Sequence, residues 1–201
     1  MGTIMILPLD KRHVPQVAEL HCASLTGLVS DLGIRAARAY YAGFVKAGTG
    51  VGFVCSEGDR VLGYVLGSAR PDGLLREVLL RNPAGILAGV LTGIARRPAV
   101  LASLMKSLRG PDTGTYDKQA AELTYLAVSR DCRSGGIGRN LVDAFTRAML
   151  DAGVKAYELS VDDDNSPAIG FYERLGFRLL GTYHEFGVWH RRYRLELKGE
   201  S

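Results

Sequence analysis

The sequence predicts an α/β (α+β) domain, a central sheet flanked by helices, spanning residues 1–201 as one unit. Three observations carry that expectation. Apolar, β-forming runs alternate with runs of helical period along the chain. Residues 51–56 and 60–68 are apolar runs joined by Glu57-Gly58-Asp59, which reads as a hairpin. Residues 133–138, R-S-G-G-I-G, connect a strand-like run to a helix-like run.

In chain order, residues 3–7 read as a first strand. Residues 14–25 and 33–46 read as helices separated by polar and glycine residues. The hairpin strands follow. A strand over 121–129 takes the central position, and alternation is expected to put residues 122, 124, 126 and 128 on one face. Leu141, Val142, Phe145 and Met149 then recur at helical spacing, and Gly153 supplies a stop. Residues 156–161 form a fifth strand. Ser166 is expected to cap the next helix, with Pro167 in its first turn. Ala168, Phe171, Tyr172 and Leu175 share a face of that helix before Gly176 ends it. Residues 177–183 and 192–197 close the sheet. Residues 72–118 are an insertion between the third and fourth strands, helical in pieces, broken at Asn82-Pro83 and Arg97-Pro98.

Composition bounds the function. Hydrophobic residues make up 47% and charged residues 23%, the balance of a folded domain with a sizeable core. The net charge of +4 is too mild to imply nucleic acid, but it favours anionic small molecules. Three widely spaced cysteines, Cys22, Cys55 and Cys132, fit a reducing compartment, the cytoplasm, and neither a disulfide framework nor a metal site. The N-terminal residues have no charged segment ahead of their short apolar run, so no secretory signal is expected.

A glycine-rich turn that opens a helix aims backbone N–H groups at the positive end of the helix dipole, an arrangement that binds phosphate oxygens. Gly135, Gly136 and Gly138 allow the chain to bend and a ligand to come close. The P-loop pattern is absent. The dinucleotide pattern G-x-G-x-x-G starts at Gly136 and Gly138, with Glu158 near the expected distance, but meets Leu141 where a small residue is required. The pattern that fits is R-x-x-G-x-G, formed by Arg133, Gly136 and Gly138. Further on, residues 165–177 read N-S-P-A-I-G-F-Y-E-R-L-G-F.

These two stretches, in this order and spacing, resemble the two signatures of the GNAT N-acetyltransferase superfamily. The match is firm from about residue 122 onward and weaker over the first 70 residues. The resemblance implies a mixed, mostly antiparallel sheet in which the fourth and fifth strands splay apart around acetyl-coenzyme A, used as cosubstrate without a metal. It implies that backbone groups at Leu126, Ala127 and Val128 hold the pantetheine arm. Amides at Arg133, Ser134, Gly135, Gly136, Ile137, Gly138 and Arg139 would bind the diphosphate, and Asn165 would contact the cosubstrate. Tyr172 would be the general acid for the departing thiolate. Glu122 is the chosen base, with His184, His190 or a water chain as alternatives.

The function expected is transfer of an acetyl group to a primary amine. A non-catalytic acyl-coenzyme A-binding module and a dinucleotide-dependent oxidoreductase stand as alternatives. Tyr40, Tyr41, Trp189, Arg191 and Arg192 are expected to line the acceptor site, and the basic ones would suit an acidic acceptor such as a nucleotide-linked amino sugar. A small amine or a protein amine also fits. Within the insertion, Gly85, Gly89 and Gly93 fall on one helical face, expected to pack against another helix of the chain over the sheet. The same segment, residues 74–109, is a candidate homodimer face. With Arg76, Arg81, Arg96, Arg97, Lys106 and Arg109, it is also a candidate contact for a membrane surface.

Overall fold

The computed structural model describes residues 3–102, 120–132, 135–185 and 187–197. Seven strands form one sheet: β1 (Ile4–Pro8), β2 (Gly50–Glu57), β3 (Arg60–Ser68), β4 (Glu122–Val128), β5 (Ala156–Asp162), β6 (Arg178–Glu185) and β7 (Val188–Glu196). Their order is β1-β2-β3-β4-β5-β7-β6, and every neighbouring pair is antiparallel except β4–β5. Mixed, mostly antiparallel pairing is therefore observed. The last strand slots between β5 and β6, so the closing hairpin joins the sheet through β7.

Helices α1 (Val14–Ser24), α2 (Leu28–Leu32), α3 (Ile34–Phe44), α4 (Leu74–Arg81) and α5 (Pro83–Arg96) precede β4, whereas α6 (Ile137–Asp151) and α7 (Ser166–Arg174) follow it. The polar stretch before α3 carries the short α2, bounded by Gly27 and Gly33, both with positive φ. The two faces of the sheet carry separate cores. On one face Leu141, Phe145 and Met149 of α6 are fully buried, the helix lying over β2, β3 and β4. Burying such a side chain contributes about 1.5–3 kcal/mol, so this stripe anchors the helix. On the other, Val17, Ala37, Tyr41 and Phe44 of α1 and α3 pack on Val54, Tyr64 and Leu66.

The strand β4 departs from simple alternation. Its register with β3 runs Leu66↔Tyr125 and then Gly67↔Leu123, so Thr124 is an extra residue in a bulge. Gly67 permits this: a Cβ there would lie 2.0 Å from the Glu122 carbonyl oxygen. A bulge shifts side-chain alternation by one. Leu123, Leu126 and Val128 consequently pack with the α6 core, and Glu122 lies on the opposite face. The expected common face of 122, 124, 126 and 128 is corrected by this one residue.

The described part of the insertion, residues 72–102, forms α4 and α5, which meet at Asn82 with a bend of 95°. Residues 103–118, including Lys106 and Arg109, lie outside the described residues. The glycine face packs within the chain, against the backbones of neighbouring helices, as expected. A Cβ on Gly89 would sit 2.6 Å from the Ala36 Cα, and one on Gly93 2.7 Å from the Leu32 carbonyl oxygen. α2 and α3 thus cover the Gly89–Gly93 face of α5.

Candidate active site

Neighbouring strands normally exchange hydrogen bonds along their length, yet β4 and β5 are in register at one position, Glu122↔Glu158. There the Glu158 N–H donates to the Ala121 carbonyl at 2.8 Å. Beyond it the strands separate around a cavity of about 660 Å³. Its walls come from residues 123–126 of β4, 159–162 of β5, and 24–26 after α1. Asp164, Asn165, Ala168, Tyr172 and Val188 complete it.

The closed end of this cleft is held by charge. Arg192 of β7 is 4% exposed and donates to three groups at once. Its Nε bonds Glu158 at 2.8 Å, and its Nη1 bonds Glu122 at 2.7 Å and Ser160 at 2.9 Å. Arg194 adds a second contact to Glu158 at 3.3 Å. Buried carboxylates need such partners, since desolvating an unpaired charge is costly. Glu122 is thereby placed at the root of the cleft, half-buried, on the face that also carries Tyr125. Burial first, and then the Glu122 charge, push the Tyr125 phenol up to about 12.

Tyr172 stands on the wall formed by α7. It is 8% exposed and wedged edge-on between Phe171 and Phe177. Burial, with a smaller contribution from Tyr157, raises its phenol well above the usual tyrosine value, so it keeps its proton. The Asn165 side chain, and not that of Ser166, caps α7, accepting from the Ala168 N–H at 3.3 Å. The cap holds Asn165 at the cavity's edge.

Of the expected cradle, Arg133 and Ser134 lie outside the described residues. Gly136 is the N-cap of α6 with φ +74°, a left-handed conformation that favours glycine. Among the described residues no side-chain cap is seen at this helix start, where the N-cap is itself a glycine. Gly135 and Arg139 are exposed, and the Ile137 side chain is buried in the core, leaving its backbone outward. A Cβ on Gly138 would come within 3.3 Å of Phe171, so the turn fits tightly against α7. Leu126 lines the cavity, Ala127 packs into the α1 side, and Val128 into the α6 side. Leu141 is fully buried beneath the sheet, a packing role that the dinucleotide pattern does not allow for.

The other anticipated residues are placed differently. Tyr41 is buried in a hydrogen-bonded triad with His21 (2.7 Å) and Tyr64 (2.8 Å), away from any acceptor. Tyr40 is half-buried, edge-on to Tyr41 and Tyr125. Arg191 pairs with Asp163, and Arg192 with the two glutamates. The basic lining expected to draw an acidic acceptor is thus already engaged inside the chain. His190 pairs with Asp162 at 3.0 Å, and this hydrogen bond foremost raises its imidazole and lowers the carboxyl. His184 tilts against the exposed Trp189. The residues that sequence reasoning missed are Tyr125, Glu158, Ser160, Asp162 and Asp164. A signal existed for Glu158: a carboxylate inside the apolar run A-Y-E-L-S-V needs a partner, and Arg192 and Arg194 alternate in the strand that supplies it.

With this geometry in place, relatives can be compared. The sequence model of the acetyltransferase (GNAT) family matches residues 14–177. The chain belongs to the acetyltransferase (GNAT) family. A mycothiol acetyltransferase of Actinosynnema mirum is 35% identical over 65 residues, which are 32% of this chain and 22% of that protein. The chain thus spans only about a fifth of the curated relatives it matches. Among solved structures, Salmonella typhimurium YncA with its cofactor acetyl-CoA superposes with TM-score 0.60 at 14% identity, covering 98% of this chain and 96% of that one. The NatC complex bound to Gag peptide and CoA gives TM-score 0.59 at 17% identity, covering 98% and 100%.

Proposed function

We propose that this chain transfers an acetyl group from acetyl-coenzyme A directly to a primary amine inside the β4–β5 cleft. The single observation that carries the proposal is the splay of these strands from one shared pair, with a glycine-capped helix N-terminus near its outer end. Membership of the family supports acetyl-coenzyme A as the donor. In this reading the first turn of α6 binds the diphosphate through backbone N–H groups, helped by Arg139. The freed edge of β4 around residues 126–128 receives the pantetheine arm as an added strand, and Asn165 flanks it.

The amine attacks the thioester carbon, a C–N bond forms, and the C–S bond breaks. Nitrogen loses a proton and sulfur needs one. Tyr172 donates to the leaving thiolate. Its raised proton affinity does not disqualify it, because burial beside Tyr172 raises that of the thiolate as well. Glu122 receives the amine proton. Its Oε1 accepts from the Arg192 Nη1, which orients the carboxylate. The β4 bulge turns Glu122 away from the α6 core and onto the face of Tyr125, one of the cavity's lining residues, although Glu122 itself is not among them.

Asp162 and Asp164 line the cavity, while the nearby arginines are paired. We infer that the acceptor arrives as a cation and that a nucleotide-linked amino sugar is disfavoured. A small-molecule amine and a protein amine both fit. The unpaired cysteines accord with a cytoplasmic setting. The test is a screen of amine acceptors with thiol detection of released coenzyme A. Faster release with polycationic amines than with phosphorylated amino sugars is expected. Tight acetyl-coenzyme A binding with no release on any amine would instead mean a non-catalytic binding module.

A further inference from the structure

Outside the cleft, the insertion presents an apolar surface that the proposed reaction does not use. The inner face of α5 (Pro83–Arg96) is consumed by Gly89 and Gly93 against α2 and α3. Its outer face repeats Ala84, Leu87, Ala88, Leu91 and Ala95 at helical spacing, all exposed, with Leu87 60% and Leu91 58% exposed. The other arm of the corner, α4 (Leu74–Arg81), exposes Leu75, Leu79 and Leu80, the last at 66%. Single exposed leucines are ordinary, but a concentration on one right-angled corner marks an interaction surface.

The charges around the corner identify the partner. Arg76, Arg81, Arg96 and Arg97 are exposed along residues 74–102, and Glu77 is the only acidic residue there. Glu77 is engaged by the Gly48 N–H at 2.8 Å, the Thr49 hydroxyl at 2.7 Å and Arg81 at 3.4 Å, so Arg76, Arg96 and Arg97 are the arginines offered to the partner. A leucine face bordered by guanidinium groups, with its one carboxylate occupied, complements an apolar layer beneath anionic head groups. Among the described residues no single helix is long and apolar enough to cross a membrane, and the α4–α5 pair is bent by 95°. The exposed leucines and the arginines beside them on this bent corner favour a surface mode. We propose that the α4–α5 corner seats this protein on an anionic bilayer surface, leucines in the acyl boundary and arginines at the phosphates.

The experiment is co-sedimentation of the full chain with vesicles of phosphatidylcholine alone or phosphatidylcholine mixed with phosphatidylglycerol. Binding to the anionic vesicles, weakened by added salt and absent from the neutral ones, is expected. Leu87→Asp with Leu91→Asp should lower partitioning about tenfold or more. Arg96→Glu with Arg97→Glu, which leaves the apolar face intact, should do the same. An acetyl-coenzyme A thermal shift equal to that of the wild type checks that each variant is folded. No binding to anionic vesicles overturns the proposal. So does a concentration-dependent dimer in native mass spectrometry that the leucine substitutions dissociate, since the face would then belong to a second copy.

Discussion

The β2–β3 hairpin and the β4–β5 pair are built from similar apolar strands, yet they end differently. β2 and β3 are in register at eight positions, from Gly50↔Ser68 to Glu57↔Arg60, and their edges are closed. β4 and β5 share one. Backbone N–H and C=O groups inside a protein are almost always satisfied, so a strand edge left open beside a cavity supports the proposal that a ligand's amide groups pair with it. The contrast shows how this domain places its site, by withholding pairing at one seam and fixing the root of that seam with a buried arginine.

The largest effect expected at that seam is chemical. Tyr172→Phe should lower kcat by about 10²-fold or more, with acetyl-coenzyme A affinity little changed in calorimetry. Wild-type turnover in the variant would remove Tyr172 from the mechanism. Next comes the root itself. Arg192→Met leaves Glu158, 4% exposed, beside Glu122 with only the longer contact to Arg194, and should destabilise the fold by about 3 kcal/mol in urea unfolding. Loss of the exposed Arg60 side chain, opposite Glu57 at the β2–β3 turn, should change stability by less than about 0.5 kcal/mol. Equal losses at the two sites would break the comparison.

A third prediction concerns pH on the sealed side of the sheet. His21 is buried against Tyr41 and Tyr64, and burial lowers its imidazole to about 4. The unfolded chain therefore takes up a proton near pH 6.5 that the folded chain refuses. Stability from this residue is complete above 6.5 and is lost as pH falls to about 4, a change of roughly 3 kcal/mol. His21→Gln should flatten this acid limb of the stability profile. His190 has the opposite sign. Its hydrogen bond with Asp162 raises it, so its contribution is complete below 6.5 and fades as pH rises through the folded value.

The smallest effect is the most discriminating. Gly58 in the β2–β3 turn (φ +58°) and Gly136 at the cleft (φ +74°) both hold left-handed backbone with open space around a Cβ. Replacing either by alanine should cost about 1 kcal/mol of stability. Only Gly136→Ala should also weaken acetyl-coenzyme A binding severalfold, because only that turn is proposed to hold a diphosphate. An unchanged affinity would detach the glycine turn from the ligand.

Much of the fold was legible in the sequence because its signals are local. The bounds of β3 matched residue for residue, and those of β2 within one. Helix α7 was readable from Pro167 and Gly176, although its cap proved to be the preceding Asn165. The glycine turn gave away the start of α6, since Leu141, Phe145 and Met149 repeat on the period of a buried face. The face of Glu122 was not legible. Nothing in E-L-T-Y-L-A-V announces a bulge at Thr124. It arises because the partner strand offers Gly67, where the Glu122 carbonyl can come close. Nor was the fate of Arg192 visible, because its Glu122 partner lies 70 residues away in the chain.

Taken alone, then, the order of residues determined what each segment is: strands by alternation, helices by period, a tight turn by glycines and a helix start. Those properties depend on neighbours a few positions apart. The tertiary structure decided which edges stay open, which face Glu122 presents, and which arginines are engaged internally. These depend on groups far apart in sequence meeting in a space too dry to leave a charge unpaired, and no local pattern encodes that meeting.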